Sequence, residues 1–278
     1  MKDGFKTEPI QLLPVLGSLV FGIVCAYLVL TSIAQGSTSL VQVTPLPEGV
    51  GSLVNGLYFV LLAGIGATLL YLLIKRKKLR LIGLITGLAL TVAVLMLSIT
   101  YLFAAFSLLG VPFTAALILT LAVATSVTVL ADFLIFKIRG KFSNIAILLL
   151  GGALGAFLGV FIPVASAVLI LAFLAVYDIY AVYRGPVGKI AQRGLEELRG
   201  LSFSFRDVQM GLGDLTFYSM LTGLVLAAAG PIVCAASTIG VLIGVFLVLK
   251  MLEKRGMFPG LPFPVLLGLL PLIISFLV

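Results

Sequence analysis

The stretch LIGLITGLALTVAVLMLSITYLFAAFSLLGVPFTAALILTLAVATSVTVLADFLIF, residues 81–136, carries one charged residue, Asp132. A membrane-spanning helix needs about 20 apolar residues rising about 1.5 Å each, so the run is too long for one crossing and suits two. The break falls at SLLGVP (107–112), where Gly110 can leave helical geometry and Pro112 can start a new helix. The same logic divides the run 143–183 at Pro163 and the run 208–249 at Gly230-Pro231. With the unbroken runs, this predicts nine transmembrane helices near 12–34, 52–74, 81–104, 112–136, 144–162, 165–183, 211–229, 232–249 and 262–278, in one membrane-embedded domain spanning 1–278.

Composition agrees. The chain of 278 residues is 62% hydrophobic and 10% charged, where soluble domains carry about a quarter charged residues. The apolar runs are continuous and do not alternate, so the class is an all-α polytopic membrane protein and not a barrel. The bilayer is the first expected partner. A net charge of +8 would suit nucleic acid, but the cations sit in short connectors and set topology instead. All 18 Lys and Arg lie before the first span or in the connectors 2–3, 4–5, 6–7 and 8–9. The alternate connectors and the C-terminus have none. That pattern puts the N-terminus in the cytoplasm and the C-terminus on the opposite side. The N-terminal MKDGFKTEPIQLLP lacks a small-residue cleavage site, so the first run is expected to be a retained span and not a removed signal. The longest cytoplasmic connector is 184–210, and its LEELRGLSFSF suggests a short surface helix. Cys25 and Cys234 fall in spans as buried small hydrophobes. GGALGAFLG (151–159) has small residues four apart, which lets helices approach closely.

Three acids fall inside spans: Asp132, Asp178 and Asp214. A charge at mid-bilayer is unfavourable by at least about 2.5 kcal/mol, so each invites a functional explanation. Asp132 lies five residues before Lys137 and can reach the interface or a connector cation. Asp178 lies six residues before Arg184 on a span running inward, and Asp214 eight after Arg206 on a span running outward. Those offsets are roughly 9 and 12 Å of helix, so the two meet at similar depth on antiparallel neighbours. With no histidine in the chain, neither acid has a cation nearby in its own span, and the nearest partner expected at that depth is the other carboxyl. Two close carboxyls cannot both ionise easily, so one keeps its proton and they titrate as a pair. Such a pair serves hydrolysis, with one member a base toward water and the other an acid toward a carbonyl. It equally serves an ion or proton transporter. The missing histidine excludes Ser-His chemistry and an H-E-x-x-H zinc site, and no metal or cofactor is expected.

Three local motifs bear on that choice. Tyr177-Asp178 stands in AVYDIYAV, Gly211-Leu212-Gly213-Asp214 in GLGDLTFYS, and Pro259-Gly260-Leu261-Pro262 in FPGLPFPVLLG. In this order, on helices six, seven and before nine, they resemble the presenilin and signal peptide peptidase family, with YD, GxGD and PAL motifs. GLGD followed by FYS is more similar to presenilin. The resemblance implies an intramembrane aspartyl protease that cleaves transmembrane segments of protein or peptide substrates, with Asp178 and Asp214 catalytic. It implies that Pro259, Gly260, Leu261 and Gly213 bind substrate, exposed backbone at 259–261 adding a strand to it. The same prolines also suit an ordinary helix start. Gly211 and Gly213 either make room for substrate or permit helix packing, and Tyr177 either hydrogen-bonds near the acids or packs. Glycine replaces the alanine usual at 260, and the 6–7 connector is much shorter than presenilin's long loop, as in a compact prokaryotic or archaeal homologue, which leaves autoproteolytic activation open.

Overall fold

A computed structural model gives the fold and describes residues 6–37, 43–138, 140–185, 200–205 and 208–277. The helices are α1 (Leu13–Ala34), α2 (Val50–Lys75), α3 (Leu79–Leu108), α4 (Phe113–Asp132), α5 (Lys141–Phe161), α6 (Val164–Tyr183), α7 (Leu212–Arg255) and α8 (Pro262–Leu277). Seven helical segments among the described residues are long and apolar enough to cross a membrane, and α8 is a shorter apolar helix. The chain is a multi-pass membrane protein.

The run 81–136 breaks where its sequence indicates. Gly110 takes φ +70° after α3, and Pro112 caps α4 in extended geometry. At Pro163 the same extended cap starts α6. The third break is concealed within α7, whose 44 residues read as one helix except at Gly230 (φ 81°, ψ −177°). Cys234 Sγ lies 3.4 Å from the Thr222 carbonyl oxygen, which it reaches as donor across 12 residues. In a straight helix those residues would be about 18 Å apart. The two arms of α7 therefore fold back antiparallel on each other at Gly230-Pro231.

The core forms around α5 and the first arm of α7. α1 lies against both, α8 packs along α7, and α3 pairs with α4. α2 and α6 form a second pair, joined to the rest mainly through α8, α7 and α3. Because lipid is as apolar as the core, close approach and interhelical hydrogen bonds hold such a bundle together. The stripe Gly151, Gly155, Gly159 brings α5 onto the backbone of α7 between Thr216 and Leu224. Gly240 and Gly244, not singled out in the sequence, do the same for α7 against residues 264–268 of α8. Ser18 donates to Leu148 O at 2.9 Å, Tyr101 to Ala153 O at 2.6 Å and Ser237 to Gly268 O at 2.7 Å. Asn55 holds both the amide and the carbonyl of Leu46 and donates to Ser166 Oγ. Cys25 and Cys234 are buried free thiols.

Two expectations need correction. The connector's LEELRGLSFSF is not a helix over its described part. Ser202–Phe205 is strand β1, antiparallel to β2 (Val208–Gly211), while residues 195–199 lie outside the described residues. Phe203 is buried and Ser204 exposed, as on a strand with one face on the core, and the segment is held extended by Asn144 at Ser204 O and by the Leu212 amide at Leu201 O. Asp132 does not pair with Lys137. Its Oδ2 accepts from Thr91 Oγ1 of the facing helix α3 at 2.7 Å, a hydroxyl that meets this oxygen within the bundle.

Candidate active site

The hairpin β1–β2 delivers the chain to Asp214. Gly211 ends β2 in extended geometry (φ −75°, ψ 146°) and is at once the N-cap of α7. Asp214 therefore sits in the first turn of α7, where a carboxylate faces the helix's unpaired amides. Leu212 is buried, with its Cδ1 against Gly151 of α5, which anchors this turn in the core. Asp178 lies one turn from the end of α6. Both acids are half-buried.

Residues 257–261 bring the acids together. They are non-helical, and α8 begins at Pro262. The Leu261 amide donates to Asp178 Oδ2 at 3.0 Å. Its neighbour Gly260 lies on Asp214, so close that a Cβ there would be 3.0 Å from Oδ1 and 3.1 Å from Cγ. Two adjacent residues of one loop thus contact the two carboxylates. Glycine at 260 has a physical reason in this chain: backbone, not a methyl group, rests on the carboxylate. Phe258 and Phe263 stack across the ends of the loop at 5.6 Å and 7°. Pro259 and Leu261 of this loop are buried.

The expected exposed backbone at 259–261 is overturned in part. Gly260 O accepts from Tyr218 Oη at 2.8 Å, and Leu261 O accepts the first helical bond of α8, from Val265 N at 3.0 Å. Of the three carbonyls of 259–261, the helix start at Pro262 consumes one and Tyr218 a second. Unpaired edge backbone lies instead on β2. The Leu212 amide donates to Leu201 O at 2.8 Å, which makes that opposed pair a bonded one. Alternation along an antiparallel ladder then turns the backbone groups of Ser202, Ser204, Gln209 and Gly211 outward. On β1 that edge is met by Asn144 of α5, whose Nδ2 donates to Ser204 O at 2.6 Å. On β2 no backbone partner meets Gln209 among the described residues.

The remaining motif residues separate cleanly. Gly213 is exposed, and a Cβ there would meet only Phe217 Cε2, at 3.9 Å. Gly211 likewise has ordinary space, with Asp214 Oδ2 at 3.7 Å from such a Cβ. Neither glycine is required by a neighbouring helix, so the space beside Asp214 is open. Tyr177 packs its ring and hydroxyl on Gly64 of α2, 3.6–3.8 Å from where a Cβ would be. Tyr218 was missed by sequence reasoning. It follows Asp214 by four residues and so shares its helix face, a signal that was available in GLGDLTFYS. Its side chain has 0% exposure.

No protein-family model and no curated protein matches the chain. Solved structures do. One described as a presenilin family intramembrane aspartate protease in space group C222 aligns with TM-score 0.65 and 22% identity, over 95% of this chain and 99% of that one. A second, in space group P2, aligns with TM-score 0.64 and 23% identity over 96% and 97%. Along nearly its whole length the chain has the fold of the presenilin-family intramembrane aspartate proteases.

Proposed function

We propose that the chain is an intramembrane aspartyl protease in which Asp178 and Asp214 hydrolyse peptide bonds of transmembrane substrates. The observation that carries this is the loop 259–261, which bears on both carboxylates at once through Leu261 N and Gly260. The ionised member takes a proton from water, whose oxygen attacks the scissile carbonyl carbon. The protonated member donates to the carbonyl oxygen, and the C–N bond then breaks with proton transfer to nitrogen. The substrate must be unwound first, since helical hydrogen bonds shield its amides. The outward groups of Gln209 and the Gly211 carbonyl offer an extended substrate a strand to pair with, leading directly to Asp214. Open space at Gly213 admits its backbone.

The test is cleavage of a single-pass protein by the purified chain in detergent, with new termini identified by mass spectrometry. Wild type is expected to produce them. An intact substrate, with proton or cation flux by the same protein in liposomes, overturns the reading in favour of transport.

Two residues refine it. Tyr218→Phe deletes one hydroxyl and leaves Gly260 O without that donor. We expect kcat to fall about tenfold, about 1.4 kcal/mol, with KM little changed. Gln209→Pro removes an amide that points away from β1, so the hairpin persists. KM is expected to rise several-fold with a smaller change in kcat, and an unchanged KM would remove β2 from substrate binding.

In the bilayer we propose nine crossings: α1 to α6, the two arms of α7, and α8, with the Lys- and Arg-bearing connectors in the cytoplasm. A reporter fused after residue 278 is expected to report the opposite compartment. Cytoplasmic signal would reverse the assignment.

A further inference from the structure

A cavity of about 560 Å³ lies between α1, α3, α4 and α5, none of which carries either acid of the proposed pair. Its wall comprises one face each of residues 94–105 of α3 and 142–153 of α5, with residues 127–131 of α4, Leu134 just beyond it, and residues 21–28 of α1. The lining is apolar. Tyr101 contributes its ring, its hydroxyl being donated to Ala153 O. A cavity of this character does not hold water, and left empty its walls lose dispersion contacts. It opens outward, because the lining residues Leu130, Phe142 and Ile145 are 57%, 64% and 50% exposed. In a membrane that opening faces acyl chains.

Its depth and its ends narrow the occupant. The lined stretch of α3 and of α5 each rises about 16 Å, close to half of the roughly 30 Å hydrocarbon core, so the cavity spans one leaflet. At one end lie Leu134 and Phe142. Lys137 ends the π-helical turn Phe133–Lys137, three residues beyond Leu134, and Lys141 directly precedes Phe142 at the start of α5, so both stand at that end of the cavity. Both lysines are exposed. Lys137 Nζ lies 5.7 Å from the Phe133 ring centroid. Asp132, on the same helix, is turned to Thr91. Two cations at headgroup depth above an apolar slot one leaflet deep match one chemistry.

We propose that this cavity binds one acyl chain of an anionic phospholipid from the leaflet on the lysine-bearing side, with the phosphate held by Lys137 and Lys141. The lipid fills a wall of α5 whose glycine stripe seats α7, and so steadies the helix against which Asp214's helix rests. The proposal does not depend on the chemistry of the aspartates.

The experiment is native mass spectrometry of the full chain in detergent, titrated with phosphatidylglycerol or with phosphatidylcholine of the same chains. Wild type is expected to retain one phosphatidylglycerol about tenfold or more better than phosphatidylcholine. Lys137→Gln with Lys141→Gln, at exposed positions that do not threaten folding, is expected to equalise the two lipids while leaving weak binding of both. Ala146→Phe and, separately, Ser98→Phe fill the slot and are expected to release both lipids, with lipid-free thermal unfolding confirming a folded protein. Glycerol phosphate in large excess is expected not to compete. Equal retention of the two lipids by wild type overturns the proposal. So does a preference that survives loss of both lysines, lipid retention by both filled variants, or displacement by glycerol phosphate.

Discussion

Asp178→Asn and Asp214→Asn are each expected to abolish peptide cleavage, lowering kcat by about 10⁴-fold or more, which is about 5.5 kcal/mol of transition-state stabilisation. Asparagine keeps the size of the side chain. Its carbonyl oxygen at 178 can still accept the Leu261 amide, which spans 3.0 Å to Oδ2 in the wild type. At 214 it still fits beneath Gly260, where the space is set by backbone. The variants are therefore expected to unfold at the wild-type temperature, which separates lost chemistry from lost structure. The double variant should be no worse than either single one, because the acids act as a unit. The wild-type pH profile of kcat/KM should be bell-shaped. At low pH both acids are protonated and no base remains; at high pH both are ionised and no acid remains. The measurement is product formation from a single-pass substrate. A single Asn variant retaining a tenth of wild-type activity would show that its carboxylate is not part of the hydrolytic pair.

The bundle's order was legible because the sequence states its breaks. Gly110-Val111-Pro112, Ile162-Pro163 and Gly230-Pro231 are the places where the chain turns, and all three pair a helix-breaking residue with a long apolar run on either side. The spacing of Asp178 and Asp214 from flanking arginines set the expectation of a shared depth, and in the fold adjacent residues of one loop contact the two acids. The hairpin was not legible. Four residues of strand are too short for period-two alternation to stand against the helix formers that precede them, and β1 is fixed by tertiary contacts, Asn144 to Ser204 and Leu212 to Leu201. The partners of the loop at 259–261 were hidden for a different reason. Tyr218 and Gly260 are 42 residues apart, and only the reversal of α7 at Gly230 followed by α8 places them together. Sequence spacing carries information along one helix face, and this contact depends on three.

Gly155→Leu is expected to prevent stable folding. A Cβ at Gly155 would lie 2.5 Å from Ser219 Cβ and 2.7 Å from the Met220 amide nitrogen, as well as on the Thr216 carbonyl. Two of those neighbours are backbone of a helix interior, which cannot rotate away as a side chain can, so α5 and α7 must separate. Overpacking of an ordinary core is destabilising by about 1–3 kcal/mol. Here the loss is expected to exceed about 3 kcal/mol, because dispersion and close approach are what hold helices together in lipid. Lost monodispersity in detergent, or a fall in Tm of more than about 10 °C, is the expected reading. Gly17→Ala is the control. Nothing lies within 4 Å of a Cβ built on that helical glycine, and its effect should stay within about 0.5 kcal/mol. Gly159→Ala should fall between wild type and Gly155→Leu, since its Cβ would be 2.7 Å from the Leu224 amide nitrogen but would add one methyl group. Because Thr216 and Ser219 follow Asp214 within two turns, separation of α5 from α7 also displaces the acid. Any residual folded fraction of Gly155→Leu should therefore be slower per molecule than wild type. A folded fraction with full specific activity would show that α5 supports the bundle without positioning Asp214.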